Sequence, residues 1–179
     1  MKAISILLRA IFGGVFIFSG FVKAVDPWGT AYKIEEYIAV FGMNWLTDAI
    51  SFLPITLSIL LSSLEFMIGV LIFFGFFPKL SKYSAAIIMG FFTILTFIDA
   101  LTNTVDDCGC FGDAIKLTNW ETFWKNIVLD VILVGIILLE RKMELSVSKV
   151  NSKLLTSVFG IFIIFFSIYS AVYEPVIDF

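Results

Sequence analysis

Five long apolar runs divide the chain, at about residues 4–25, 54–77, 82–102, 120–139 and 154–173. Each is long enough to cross a hydrocarbon core, which takes roughly 20 mainly apolar residues in a helix. The runs are rich in β-branched and aromatic residues, but they lack the alternation of a half-buried strand. A helix also satisfies its own backbone in lipid. Pro54 opens the second run, where a missing N–H costs little, and Pro78 closes it. Between the first two runs, residues 26–53 carry Ile34, Ile38 and Phe41 on one helical face, with Lys33, Glu35 and Glu36 polar. This predicts a short amphipathic helix at the interface or docked over the bundle. No repeat, low-complexity tract or linker interrupts the pattern. The expected fold is all-α: one transmembrane domain over residues 1–179, with a short interfacial helix after the first of five spans.

Charge orients this arrangement. With the N-terminus in the cytoplasm, Lys2, Arg9, Lys79, Lys82, Arg141, Lys142, Lys149 and Lys153 fall inside, and Lys23, Lys33, Lys116 and Lys125 fall outside. Eight basic residues against four satisfy the positive-inside rule. Trp28, Trp45, Trp120 and Trp124 all fall at the outer ends, as a one-sided aromatic belt. Arg9 interrupts the first run and no A-x-A-like site follows it, so an uncleaved span is expected rather than a secretory signal. An odd number of spans leaves the C-terminus outside. A composition 60% hydrophobic suits a lipid solvent, and a net charge of -3 gives no sign of a nucleic-acid partner. The chain has no histidine. That excludes Ser-His and Cys-His catalysis and removes the commonest metal ligand.

Two features could carry chemistry. The first is the loop Asp106-Asp107-Cys108-Gly109-Cys110-Phe111-Gly112-Asp113, which falls outside the membrane, where disulfides persist. A disulfide across one intervening residue would staple almost nothing, and its ring would depart from relaxed geometry. Gly109 and Gly112 can supply the unusual dihedrals such a ring requires. Three readings stay open: a redox thiol pair, a soft-metal site such as Cu(I) between two thiolates, and inert local structure. The neighbouring aspartates disfavour a thiolate, so the pair suits a disulfide attacked by a partner thiol better than an attacking nucleophile. The second feature is a set of polar groups inside the spans: Arg9, Glu65, Asn126 and Asp130. Such groups usually face the bundle and find partners. They read either as a packing network, with Arg9 reaching towards Glu65, or as a protonatable relay serving a quinone or substrate pocket. Gly13, Gly14, Gly20, Gly69 and Gly75 are expected to let backbones approach. The 21 phenylalanines are expected to fill the core and face lipid.

The first run and its exit, from Arg9 through Gly13, Phe16, Ser19, Gly20 and Lys23 to Asp26-Pro27, resemble the opening signature of the DoxX-like membrane proteins. Glu65, Gly69 and Gly75 resemble the Glu and glycine pattern of that family, and Cys108-Gly-Cys110-Phe-Gly112 is similar to a loop of its MauE-like branch. The resemblance covers about residues 5–139. It implies a four-helix membrane core, to which the fifth run is an addition, with Arg9, Lys23, Asp26 and Glu65 as polar core positions and Cys108 and Cys110 as a redox pair. Some members are linked to thiosulfate–quinone oxidoreduction, and MauE-like members to maturing extracytoplasmic disulfide-containing partners. Many DoxX-like chains lack the cysteines. Related chains sometimes continue into a soluble outer domain, so the end at Phe179 fits a complete chain and the membrane part of a longer one.

The leading expectation is thiol–disulfide exchange through Cys108 and Cys110 in a bacterial inner membrane. The partners would be an extracytoplasmic thioredoxin-like or client protein and a membrane carrier such as quinone. Glu65 and Asp130 are the candidate proton-handling groups. No second cysteine pair exists to relay electrons. The alternative is a non-catalytic subunit that scaffolds a larger membrane complex.

Overall fold

The computed structural model describes residues 2–103, 105, 109–113, 115, 117–140 and 149–173. Cys108, Asp106, Asp107 and Lys116 lie outside the described residues. Helix α1 (Lys2–Val25) is followed by α2 (Pro27–Val40), α3 (Asn44–Ala49), α4 (Leu53–Phe74) and α5 (Pro78–Thr102). A short extended segment, β1 (Cys110–Asp113), precedes α6 (Asn119–Glu140) and α7 (Lys149–Tyr173). Among the described residues, five helices (α1, α4, α5, α6 and α7) are long and apolar enough to cross a membrane. The expected spans are thus present, with boundaries shifted by a few residues. Pro78 differs from expectation. The second span ends earlier, at Gly75 in the left-handed region (φ 72°), and Pro78 instead opens α5.

The surface is as apolar as the interior. Ile87, Val131 and Phe165 are about 70% exposed (72%, 67% and 70%), whereas Glu65, Asp99, Ser58 and Asn126 are buried. In water this would strand apolar surface, and in lipid it is the low-energy arrangement. The main core packs Phe12 and Phe16 of α1 against Ile68 and Ile72 of α4, Met89 of α5 and Leu133 and Ile136 of α6. The Phe12 and Phe16 rings stack at 4.6 Å. A second cluster joins Ala24, Phe66 and Val70 to Ile163 of α7. Phenylalanine therefore both fills the core and faces outward, as expected.

Helices α1 and α4 run antiparallel in backbone contact. A Cβ on Gly20 would fall 2.4 Å from Phe66 N, and one on Gly69 would fall 2.6 Å from Ile17 N. Gly13 meets Gly69 O and the Phe73 backbone at 2.8 Å. Small residues thus let the two backbones touch, the usual basis of helix association in lipid. Two glycines depart from the expectation. Gly14 has nothing within 4 Å of its Cβ position, and Gly75 is a helix terminator. The Arg9 guanidinium lies against Gly75, where its Nε donates to Ile72 O at 2.8 Å and one NH2 donates to Phe73 O at 3.3 Å. Arg9 therefore does not reach Glu65. It caps the C-terminus of α4, where a cation meets unpaired carbonyls and the negative end of the helix dipole.

The 26–53 connection holds two helices. Asp26 caps α2 by accepting from Gly29 N at 3.0 Å. Ser58 of α4 donates to Pro27 O at 2.7 Å, and Trp28 Nε1 donates to Ala171 O of α7 at 2.9 Å. These bonds dock α2 over the end of the bundle that also carries β1. Ile38 is buried, but Phe41 is 55% exposed. All four tryptophans lie at this same end, in α2, α3 and the first turns of α6.

Replacing Gly20 by Ala forces the α1 and α4 backbones apart. The expected loss is about 1–3 kcal/mol, the usual cost of overpacking. Gly14→Ala should be nearly neutral. Thermal unfolding of the two variants in one detergent checks the difference.

Candidate functional site

Ser19 and Lys23 stand one turn apart on α1 and therefore share a face. Gly20 lies between them, and its missing side chain brings α4 close enough to present Glu65. Lys23 Nζ lies 2.6 Å from Glu65 Oε1, and Ser19 Oγ lies 2.7 Å from Glu65 Oε2. The ion pair is almost sealed, with side chains 5% and 2% exposed. Lys23 Nζ also stands 5.4 Å from the centre of the Phe92 ring, within cation–π range.

The cysteine loop closes on this pair. Ser19 Oγ lies 2.6 Å from the carbonyl oxygen of Cys110, a group that can only accept. Gly112 N donates to Gly109 O at 3.0 Å, closing a tight turn. Gly109 and Gly112 both adopt left-handed backbone (φ 60° and 55°), as expected of residues without a Cβ. The Phe111 ring packs against Phe18, with centres 5.7 Å apart, and lies 4.5 Å from Lys125 Nζ. Cys110 is half-buried. Cys108, its expected partner, is outside the described residues.

Two cavities meet at Lys23, Phe92 and Cys110. The smaller, about 20 Å³, is also lined by Ser19, Glu65, Lys125 and Asn126, and it has room for a single water. The larger, about 290 Å³, lies between α2, α4 and α5. Its walls are mainly apolar, including Ile34, Ile38, Leu57, Leu61 and Phe91, with Lys23, Gly109 and Cys110 among its lining residues. Thr30 also lines it. The Thr30 hydroxyl is buried and has no hydrogen-bond partner among the described residues.

Of the sequence-predicted residues, Lys23, Glu65, Cys110 and Asn126 come together. Arg9 and Asp26 do not. Asn126 donates to Thr96 Oγ1 at 3.1 Å, and Thr93 donates to Asp130 Oδ2 at 2.8 Å, so both residues help join α5 to α6. Sequence reasoning missed Ser19 and Thr30 as site residues, although Ser19 stands in the opening motif. It also passed over Asp99. Asp99 is buried at 2% and accepts from Tyr37 OH, which links α5 to α2. Its position inside the third apolar run was the available signal. Among the described residues, no three His, Cys, Asp or Glu side chains form a metal-binding group.

A family model described as methylamine utilisation protein MauE matches residues 1–139. No match was found to a curated protein or to a solved structure.

Removing one member of the ion pair strands the other in a low-dielectric interior. Lys23→Met and Glu65→Leu should each cost about 3–5 kcal/mol, and the double variant should recover much of the loss. Unfolding of all three beside the parent tests this. Additive losses in the double variant would refute the pairing.

Proposed function

The chain belongs to the MauE family of methylamine utilisation proteins, and on that premise we propose that it is a membrane-embedded thiol–disulfide exchange protein. In this reading Cys108 and Cys110 exchange with a thioredoxin-like or client protein outside the membrane and pass electrons to or from a carrier such as quinone. One observation carries it: the Cys110 backbone is hydrogen-bonded to the Ser19–Glu65–Lys23 cluster, and the same residue lines an apolar cavity open to α2, α4 and α5.

The step is balanced by the acceptor. As the sulfur–sulfur bond forms, Cys108 and Cys110 together lose two electrons and two protons, and a quinone taking both becomes a quinol. A quinone supplies that two-electron capacity and an apolar body. The residues present suit it: apolar walls fit the body, and Lys23 and the unpartnered Thr30 hydroxyl offer hydrogen-bond donors. Glu65 lies one serine away from the Cys110 carbonyl and is the group best placed to handle protons. Asp130, bonded to Thr93 on the α5–α6 seam, is a more remote candidate.

The membrane is the bacterial inner membrane, with the N-terminus cytoplasmic and the cysteine loop outside. The bias of Lys and Arg and the tryptophans at the loop end support this orientation. A second reading, a scaffold subunit, draws on the same Ser19–Cys110 bond, which would fix the loop as a rigid docking surface.

Equilibration of the purified chain across glutathione potentials, with thiol trapping and mass spectrometry, separates the two. Exchange predicts a reversible two-electron transition above about -250 mV, and loss of it in Cys108→Ser and in Cys110→Ser. A pair still oxidised below about -300 mV would behave as a structural disulfide and favour the scaffold.

A further inference from the structure

Thr30 stands in the wall of the larger cavity, and its hydroxyl is buried with no hydrogen-bond partner among the described residues. The residue is 6% exposed. Leaving a buried hydroxyl unpaired costs about 1–3 kcal/mol. A helical threonine often relieves this by donating to the carbonyl of the preceding turn, as Thr96 does to Phe92 O. Thr30 makes no such bond and lines the cavity.

Its surroundings define what it would meet. The walls are apolar, so a freely soluble or highly charged ligand would lose its hydration without compensation. Lys23 supplies a cation, and Cys110 shares the wall. Phe91, near the middle of α5, and Phe41 line the cavity and are 58% and 55% exposed. Exposed at mid-span, Phe91 faces hydrocarbon, which favours a lateral entry from lipid. A volume of about 290 Å³ is at the lower edge of the range for small-molecule sites, roughly 300–1,000 Å³. It suits a ring with part of a tail and leaves the remaining tail in the bilayer.

We propose that this cavity is the quinone site, with Thr30 donating a hydrogen bond to one ring carbonyl and the Lys23 end holding the ring beside Cys110. The proposal rests on the exchange reading and adds to it the location, the entry route and a specificity-determining residue. A hydrocarbon chain alone would leave Thr30 as unpaired as before. A carbonyl-bearing ring would pair it.

The test is direct binding of a decyl-tailed benzoquinone to the full chain in nanodiscs, by calorimetry. Thr30→Val keeps the shape and removes the hydroxyl. It should weaken binding by about fivefold, the worth of a typical hydrogen bond. Leu61→Trp fills the cavity and should weaken binding by more than tenfold. Thr156→Val, which removes an unpartnered hydroxyl on α7, should leave binding unchanged. Thermal unfolding identifies any variant that fails to fold, and Thr30→Val, being nearly isosteric, keeps the test decisive if Leu61→Trp does.

Parent-like binding in both cavity variants overturns the site. So does a cavity held by phospholipid chains that the quinone does not displace. A chain whose cysteines cycle with a thioredoxin-like protein but which binds no quinone overturns the site and leaves exchange standing. Quinone binding that responds to Thr30→Val, with cysteines that never cycle, upholds the site and refutes exchange.

Discussion

The contact between Lys23 and Glu65 is the constraint around which the fold is arranged. Neither charge could remain in an apolar bundle alone, because desolvation of one unpaired ion costs several kcal/mol. The pair exists only because α1 and α4 touch through their backbones at Gly13, Gly20 and Gly69. A side chain at Gly20 would hold α4 away and lengthen the ion pair beyond useful range. Packing and electrostatics are therefore one requirement here, expressed by small residues on either side of a salt bridge. The loop inherits the same requirement, since Ser19 joins the pair to the Cys110 carbonyl.

Away from this centre, the solvent decides which groups point where. Lipid accepts the exposed Ile87, Val131 and Phe165 without penalty, and it rejects polar atoms. Hydroxyl, amide and carboxylate groups accordingly pair across helices: Thr96 with Asn126, Thr93 with Asp130, Tyr37 with Asp99. Ser62 and Ser167 approach within 3.4 Å and link α4 to α7. Such bonds contribute little each, because alternative partners exist in the membrane-embedded unfolded state. Together they specify which helix faces meet. Arg9 belongs to the same logic at the opposite end, where it serves the open carbonyls of α4.

The five spans were legible because twenty apolar residues in succession have one structural outcome in lipid. The left-handed glycines of the loop could also be read, since they follow from local chain chemistry. The pairing of charges could not. Arg9 and Glu65 both lie inside apolar runs, and sequence offers no register between α1 and α4. Once Gly13 meets Phe73 and Gly20 meets Phe66, Arg9 falls beside Ile72, and Glu65 faces Lys23. The cap at Asp26 was missed for a different reason. An aspartate before proline at a helix start is a cap by local rules, and the apolar run beside it concealed that. Thr30 could not have been found, because a missing partner is a property of three dimensions.

The chemistry at Ser19 ties these observations to the proposed exchange. A hydroxyl carries one proton, yet Ser19 Oγ stands 2.6 Å from the Cys110 carbonyl and 2.7 Å from Glu65 Oε2. The carbonyl can only accept. If Ser19 donates there, the hydrogen bond to Glu65 is weakened. If Ser19 donates to Glu65, the Cys110 carbonyl loses that donor. The loop and the ion pair thus share one hydroxyl donor. Disulfide formation releases two protons and disulfide reduction consumes two, and in the proposed exchange the Glu65 carboxyl stands one hydroxyl away from the loop where they would move. Stability alone does not account for the pair, because apolar side chains of similar volume often stabilise as well as a buried ion pair or better. An ion pair kept there, one hydroxyl away from the cysteine loop, makes physical sense when the loop handles protons.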